Sequence, residues 1–364
     1  MDDGPLLRLR DWEARASEVA DPAAWEYLAR GSGADVTAAE NVAAWSRWAL
    51  LPHVLRDVST VDLSTTVLGT RIPTPIVIAP TAMHRFFTAD GELATARAAA
   101  EVGTVYVVSM AATHSVEDVA AAAPRAPRWA QMYMLRDRGR TRALAERAAA
   151  AGYQAIVASV DGAAVGRGIA SASAGRLEPP DWMRYPNLAA EDDTDSSDIM
   201  RLVSDFDPSL TFDDLASFGD WSGLPVVVKG LLRADDASRA VDAGAAAIAV
   251  SNHGGRVLDG IAATADVLPH VVDAVSGRAE VYVDGGVRSG VDVVKAVALG
   301  ARAVMVGRPV LWGLCVDGAR GAAQVLELLG TEFEAALAFC GAASVRELDR
   351  DLVVTTPGRP DLED

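Results

Sequence analysis

Eight short runs of β-branched and small apolar residues recur along this chain, most of them followed by a loop and an alanine-rich amphipathic stretch. The runs are Pro75–Ala79, Thr104–Val108, Arg128–Met132, Ala155–Val160, Pro225–Lys229, Ala247–Ser251, Glu280–Asp284 and Ala303–Val306. Short apolar runs that do not alternate with polar residues read as strands covered on both faces, the habit of parallel sheets. Gly91–Val102, Thr141–Ala151, Ala234–Ala243 and Val291–Leu299 carry helical spacing between them. Strand and helix alternating eight times is the count of a closed (β/α)8 barrel, the TIM-barrel form of an α/β fold. A doubly wound open sheet would need a glycine-rich dinucleotide turn after its first strand, and Pro80-Thr81-Ala82-Met83 is not that turn.

The chain reads as one barrel domain over residues 1–364, with N-terminal helices in 1–65, the barrel in 75–312 and closing helices in 313–356. Trp25, Leu28 and Ala29 fall at helical spacing, and Gly31-Ser32-Gly33 is a helix stop. Leu311–Phe339 reads as helix, and Thr355–Asp364 as a polar tail. One connection is out of scale. After the fourth run, Val160 and Pro225 are joined by far more than the usual ~2–6 residues of a βα loop. Its middle, Pro179–Asp207, is rich in Pro, Asp and Ser and includes Glu191-Asp192-Asp193-Thr194-Asp195; it reads as a lid on the catalytic face.

A net charge of −17 weighs against nucleic acid and anionic membranes as partners, since both are bound through basic patches. No apolar run reaches the ~18 residues that span a bilayer, and the charged start MDDGPLLRLRDWEAR is unlike a secretory leader, so the expected compartment is the cytoplasm. Cys315 and Cys340 lack metal-ligand spacing, and no metal site is expected.

In this barrel type the carboxyl ends of the strands share one mouth, where catalysis sits. Here they carry Pro80, Thr81 and Ala82, then Ser109, Gln131 with Tyr133, and Ser159 with Asp161. The second half adds Lys229, Ser251 with His253 and Arg256, Asp284-Gly285-Gly286-Val287-Arg288, and Gly307-Arg308. In Ala247–Asp259 a buried strand breaks into Ser251-Asn252-His253-Gly254-Gly255-Arg256, which brings a base and a cation to one point. The glycines and arginines after runs seven and eight occupy the usual phosphate corner of the fold. The polar ends of the first five runs, opposite that corner, suit the edge of a large flat heterocycle. Flavin mononucleotide (FMN) fits the span, with Lys229 available to negative charge on the reduced ring.

The segments VVVKGLLRADDASRAVDAGAAAIAVSNHGGRVLDG and VYVDGGVRSGVDVVKAVALGARAVMVGRPVLWGL resemble the FMN-dependent 2-hydroxy acid oxidases and dehydrogenases. The resemblance extends to IAPTAMHRFFTADGELATARAAAEVGT, WAQMYMLRDR and EYLARGSGADVTAAEN, and covers nearly the whole chain apart from the long fourth loop. It implies oxidation of a 2-hydroxy acid to the 2-oxo acid, with O2 as acceptor giving H2O2, in a homotetramer or octamer. It also implies roles. His253 is the base that meets the α-C–H or hydroxyl proton, and Asp161 stabilises its imidazolium. Arg256 binds the substrate carboxylate with help from Tyr27, Tyr133 bonds the substrate oxygen, and Lys229 lies by the flavin edge where reduced charge gathers.

Three departures bear on the substrate. The family follows its aspartate with Thr-Pro and then Gly-Arg-Arg, whereas this chain reads Asp161-Gly162-Ala163-Ala164-Val165-Gly166-Arg167-Gly168. The second arginine is thus Gly168; a charge-assisted bond is worth about 1.5–3 kcal/mol, and Arg167 is the nearest replacement. Ile169–Arg176 has lost the family's charged pattern. Ala111 stands where glycolate oxidase carries tryptophan, which opens the pocket toward a bulky or aromatic, mandelate-like substrate. The alternatives are a diverged oxidase acting on an amine or biosynthetic intermediate, and an FMN-binding protein without turnover. Asp161, His253 and Arg256 weigh against the last. The absence of a haem domain and of an apolar anchor in the fourth loop favours O2 as acceptor.

Overall fold

The computed structural model describes residues 6–162, 180, 182–189, 199 and 204–356. Eight parallel strands close into a barrel: β1 (Ile76–Ile78), β2 (Tyr106–Val108), β3 (Arg128–Met132), β4 (Ile156–Ser159), β5 (Val226–Leu231), β6 (Ala247–Val250), β7 (Glu280–Asp284) and β8 (Ala303–Val306). Each coincides with one of the eight apolar runs. The seam is β8 against β1, with Val304 opposite Ile76.

Side chains on a strand alternate between faces, so every second residue points into the barrel. Val77, Val107, Trp129, Val157, Val227, Ala249, Tyr282 and Met305 form the buried inner core, and the Trp129 and Tyr282 rings meet at 5.6 Å. Two residues further along the same inward rows come Ala79, Ser109, Gln131, Ser159, Lys229, Ser251, Asp284 and Gly307. The alternation that fills the barrel therefore brings the polar strand ends to one level. The outward residues, Ile76, Ile78, Tyr106, Val108 and Ile248 among them, pack in a second core against the helices.

The helices are α1 (Leu9–Val19), α2 (Pro22–Ala29), α3 (Val36–Ala43), α4 (Gly91–Val102), α5 (Val116–Ala122) and α6 (Arg138–Ala150). They continue with α7 (Leu215–Ser222), α8 (Ala234–Asp242), α9 (Thr264–Val275), α10 (Gly290–Ala298) and α11 (Arg308–Phe339). Asp21 caps α2 by accepting from Ala23 N at 2.8 Å, with Pro22 in the first turn, where a missing N–H costs nothing.

Helix does not run through residues 1–65 as expected. After α3 a 3-10 turn, Ala44–Arg47, leads into an extended segment, Trp48–Leu50, which pairs antiparallel with Val353–Thr355. The partner comes from the far end of the chain, and Pro52 removes a donor just beyond, so local spacing did not reveal the change. Thr355 accordingly belongs to a strand rather than to the tail. The closing helix α11 begins at Arg308, three residues earlier than expected, and breaks at Asp317 and Gly318, where Gly318 has φ +54°. Most of the Pro179–Asp207 excursion, including Glu191–Asp195, lies outside the described residues. Its described end is clipped to the exit of β3, where Arg136 N donates to Asp205 O at 2.7 Å and Asp207 N to Met134 O at 2.8 Å.

Candidate active site

The carboxyl ends of the strands enclose a cavity of about 530 Å³, roofed on one side by the loop joining α2 and α3. Helix α3, which follows that loop, sits close because the site loops are glycine-rich. A Cβ on Gly286 would lie 1.8 Å from Asn41 O, and one on Gly255 would lie 2.5 Å from Ala38 N. The side-chain amides of Asn41 and Asn252 exchange hydrogen bonds of 2.8 and 2.7 Å across the same junction. The glycines of SNHGGR and DGGVRSG thus seat α3 as well as opening the backbone toward a ligand.

His253 follows β6 with φ +59°, its N–H held by Ser251 Oγ at 3.1 Å. Its Nδ1 lies 3.1 Å from Asp161 Oδ2. Burial pushes the Asp161 carboxyl up, but His253 and Lys229 outweigh it and hold the group below the usual carboxylate range. A charged Asp161 accepts only, so Nδ1 is the donor of this pair and Nε2 is the ring nitrogen turned away from it. Nε2 faces the Tyr133 hydroxyl at 3.4 Å. Burial, reinforced by Asp161, keeps that phenol protonated by raising it well above its ordinary value. Asp161 reaches His253 because β5 bulges at Gly230, with φ +110°, where a Cβ would fall 2.6 Å from Asp161 Cγ.

Lys229 is buried and donates to Ser251 Oγ at 2.8 Å, while its Nζ pairs with Asp284 Oδ2 at 2.9 Å. Burial lowers the ammonium, yet Asp284 and Asp161 more than offset it, so the lysine stays charged. Gln131 ties the neighbouring strand ends together. Its Oε1 accepts from Ser109 Oγ and from Met110 N, both at 3.2 Å, and its Nε2 donates to Ser159 Oγ at 3.1 Å.

Arg288 and Arg308 stand at the opposite corner, with Arg256 near enough to act on Arg308. Arg256 Nη1 donates to Tyr27 O at 2.7 Å and Arg30 O at 2.6 Å, with its guanidinium 4.4 Å from the Tyr27 ring centre. Arg308 donates to the carbonyls of Leu28, Gly254 and Arg30. Arg288 donates to Val287 O and lies over the Trp312 ring at 4.9 Å. None of the three pairs with a carboxylate among the described residues. Burial, then Arg256 and Arg288, pull the Arg308 guanidinium down to about 9, and burial lowers Arg288 as well. Buried cations that repel one another are stabilised by an anion. The corner therefore fits a phosphate.

The cavity is lined by Tyr27, Pro80, Thr81, Ala82, Ser109, Ala111, Gln131, Tyr133, Ser159, Lys229, His253, Arg256, Asp284, Gly285, Gly286, Arg288, Gly307 and Arg308, all expected from the sequence. Asp161 and Ser251 do not line it; they stand behind His253 and Lys229. Arg167, Gly168 and Ile169–Arg176 lie outside the described residues. Sequence reading missed Ile199 and Phe206, which line the cavity from the long excursion. Phe206 stacks on Tyr133 with ring centres 4.2 Å apart. No local signal distinguishes Phe206 from an ordinary core phenylalanine.

Comparison with known proteins decides the family. The profile described as FMN-dependent dehydrogenase matches residues 16–355. The chain belongs to the FMN-dependent dehydrogenase family. It is an oxidoreductase with FMN as cofactor, and Arg288 and Arg308, the Gln131 cluster and Lys229 are the residues whose chemistry fits that group. Among family members, human 2-hydroxyacid oxidase 1 is 43% identical, over 97% of both chains. An L-lactate oxidase of Nostoc sp. is 42% identical over 94% of this chain and 96% of its own. A mandelate oxidase solved with (S)-4-hydroxymandelic acid superposes with a TM-score of 0.86 at 39% identity, covering 96% of this chain and 99% of its own. No helix among the described residues is long and apolar enough to cross a membrane.

Proposed function

We propose that this enzyme oxidises 2-hydroxy acids with bulky or aromatic side chains to 2-oxo acids, with O2 as the final acceptor. The observation that carries the reading is His253, held through Nδ1 by Asp161 at 3.1 Å while Nε2 faces the cavity beside the Tyr133 hydroxyl. An imidazole oriented in this way is a base for the α-carbon or hydroxyl proton of a bound 2-hydroxy acid. Among the described residues, both hydrogen bonds of Arg256 leave from Nη1, so Nε and Nη2 keep donors for a substrate carboxylate. Tyr27 and Tyr133 flank that space. When bound, FMN takes up the two electrons, and Lys229 at the strand-five end counters the charge this brings.

The side-chain preference is supported by Ala111, Ile199 and Phe206, three buried apolar residues on the cavity wall. The names of the relatives, among them a mandelate oxidase and an L-lactate oxidase, bracket the range of substrates to try. The proposal includes a homotetramer or octamer in the cytoplasm. Leu51, Val54, Leu55 and Phe339 are exposed apolar residues gathered where His53 N donates to Cys340 O at 3.1 Å, which favours self-association.

The test is to mix the yellow protein anaerobically with a panel of 2-hydroxy acids and follow the visible flavin band. Bleaching by mandelate-like acids but not by glycolate, with colour restored by air, is the expected result. An FMN-loaded protein that no 2-hydroxy acid bleaches would overturn the substrate class and favour an amine or a biosynthetic intermediate.

A further inference from the structure

Tyr133 is held by two close neighbours, Phe206 and Gly162. On one side lies Phe206, 4.2 Å away and within 18° of parallel. At the Cε1–Cδ1 edge lies Gly162, the residue immediately after Asp161. A Cβ on Gly162 would stand 2.4 Å from Tyr133 Cε1 and 2.9 Å from Cδ1. Real side chains do not approach so closely, so any residue other than glycine at 162 forces the ring to move. Phe206 cannot yield easily, because the chain on either side of it is bonded to Arg136 and Met134. Arg138 adds ion pairs to Asp207 and Asp214, and Arg140 adds one to Asp205.

We propose that Gly162 is a positioning residue: its missing side chain lets the Tyr133 ring lie against the backbone beside Asp161, which puts the hydroxyl on Nε2 of His253. The proposal rests on the reading of Tyr133 and His253 given above. It also gives a meaning to one departure of this chain, since the resembling family carries threonine at this position. Phe206 takes part by stacking on the ring face, so glycine and phenylalanine together fix where the ring lies. With the hydroxyl 3.4 Å from Nε2, a shift of about 1 Å breaks or remakes the contact. Gly162 thereby acts on the base through the tyrosine without touching substrate.

The test compares FMN-loaded wild type, Gly162→Thr, Tyr133→Phe and the double variant, each labelled with 13C at histidine Cε1. Gly162→Thr and Tyr133→Phe should move the His253 signal in the same direction, and the double variant should move it no further than Tyr133→Phe alone. A His253 signal left at the wild-type position by Gly162→Thr, or additive shifts in the double variant, would overturn the proposal. With an acid that bleaches the flavin, Gly162→Thr should slow bleaching at saturating substrate by about tenfold or more, and by less than about twofold in the Tyr133→Phe background. If Gly162→Thr fails to retain FMN or to unfold cooperatively, Gly162→Ala is read by the same criteria, since its Cβ already meets the ring. If no 2-hydroxy acid bleaches the wild type, the substrate class fails while the histidine signals still decide the role of Gly162.

Discussion

Lys229 and Asp284, from strands five and seven, meet as an ion pair of 2.9 Å inside the barrel mouth, with both side chains at least nine-tenths buried. Removing one member of such a pair leaves a charge without solvent or partner, at a cost of about 3–5 kcal/mol. Lys229→Met is therefore expected to lower stability by that order, and Lys229→Met with Asp284→Asn to recover most of it. Urea unfolding of the FMN-free proteins reads this directly. Equal stability of wild type and Lys229→Met would mean that the pair is not closed in solution.

The arginine corner predicts a difference between two ligands. Arg308→Leu should weaken FMN binding by about ten- to a hundredfold, the range of one charge-assisted bond of about 1.5–3 kcal/mol. Binding of riboflavin, which lacks the phosphate, should change little. Flavin fluorescence titrations of the apoprotein measure both, and a parallel loss for both ligands would assign Arg308 to the fold rather than to phosphate.

His253→Ala should retain FMN and lose about 10²–10⁴-fold in the rate of flavin bleaching, the usual share of a general base. Asp161→Asn should fall in the same direction, because an amide can donate to Nδ1 and turn the ring to the wrong tautomer. Stopped-flow reduction under nitrogen separates this from slow reoxidation. Unchanged bleaching in His253→Ala would remove the histidine from the mechanism.

Ala111 is a buried wall of the cavity. Ala111→Trp should raise KM for mandelate-like acids by about tenfold or more while sparing small acids, because overpacking a filled wall costs about 1–3 kcal/mol. The kcat/KM ratio between the two acids is the measurement.

Glu92 is fully buried and bonds Thr113 N at 2.9 Å, His84 N at 3.0 Å and His114 Nδ1 at 2.8 Å, stapling the loops after strands one and two. Burial pushes its carboxyl up, but His114, His84 and Thr113 prevail and hold it at about 2. Burial lowers His84 as well. Both groups bind protons more readily unfolded than folded. Their stabilisation is present at neutral pH and is lost as pH falls, through 6.5 downward for His84 and from about 4.5 toward 2 for Glu92. The Glu92 share is of order 3 kcal/mol. Glu92→Gln should lower stability at pH 7 and flatten its decline between pH 4.5 and 3, as measured by thermal unfolding across that range.

What could be read in advance was whatever repeats or stays local. The eight strands were legible because burial on both faces writes itself as short apolar runs. The strand-end residues were legible because a parallel barrel sends every carboxyl end to one mouth. His253, Arg256 and Lys229 needed no knowledge of distant contacts. The extended Trp48–Leu50 segment was not legible, since its partner Val353–Thr355 lies at the other end of the chain. Nor was Phe206, whose place on Tyr133 depends on how a long connection returns to the exit of strand three.

The amino-acid sequence was enough to read the barrel and the strand-end residues, because periodicity and strand polarity place them without reference to any particular contact, and its family motifs were enough to read the flavin cofactor. The folded arrangement was needed to see that Asp161 and Ser251 stand behind His253 and Lys229 rather than on the cavity wall. It alone revealed that the site glycines also seat α3, and that Gly162 and Phe206 hold the tyrosine ring. These depend on differences of a few tenths of an ångström in the approach of segments far apart in the chain, and hard-core repulsion makes such differences decisive.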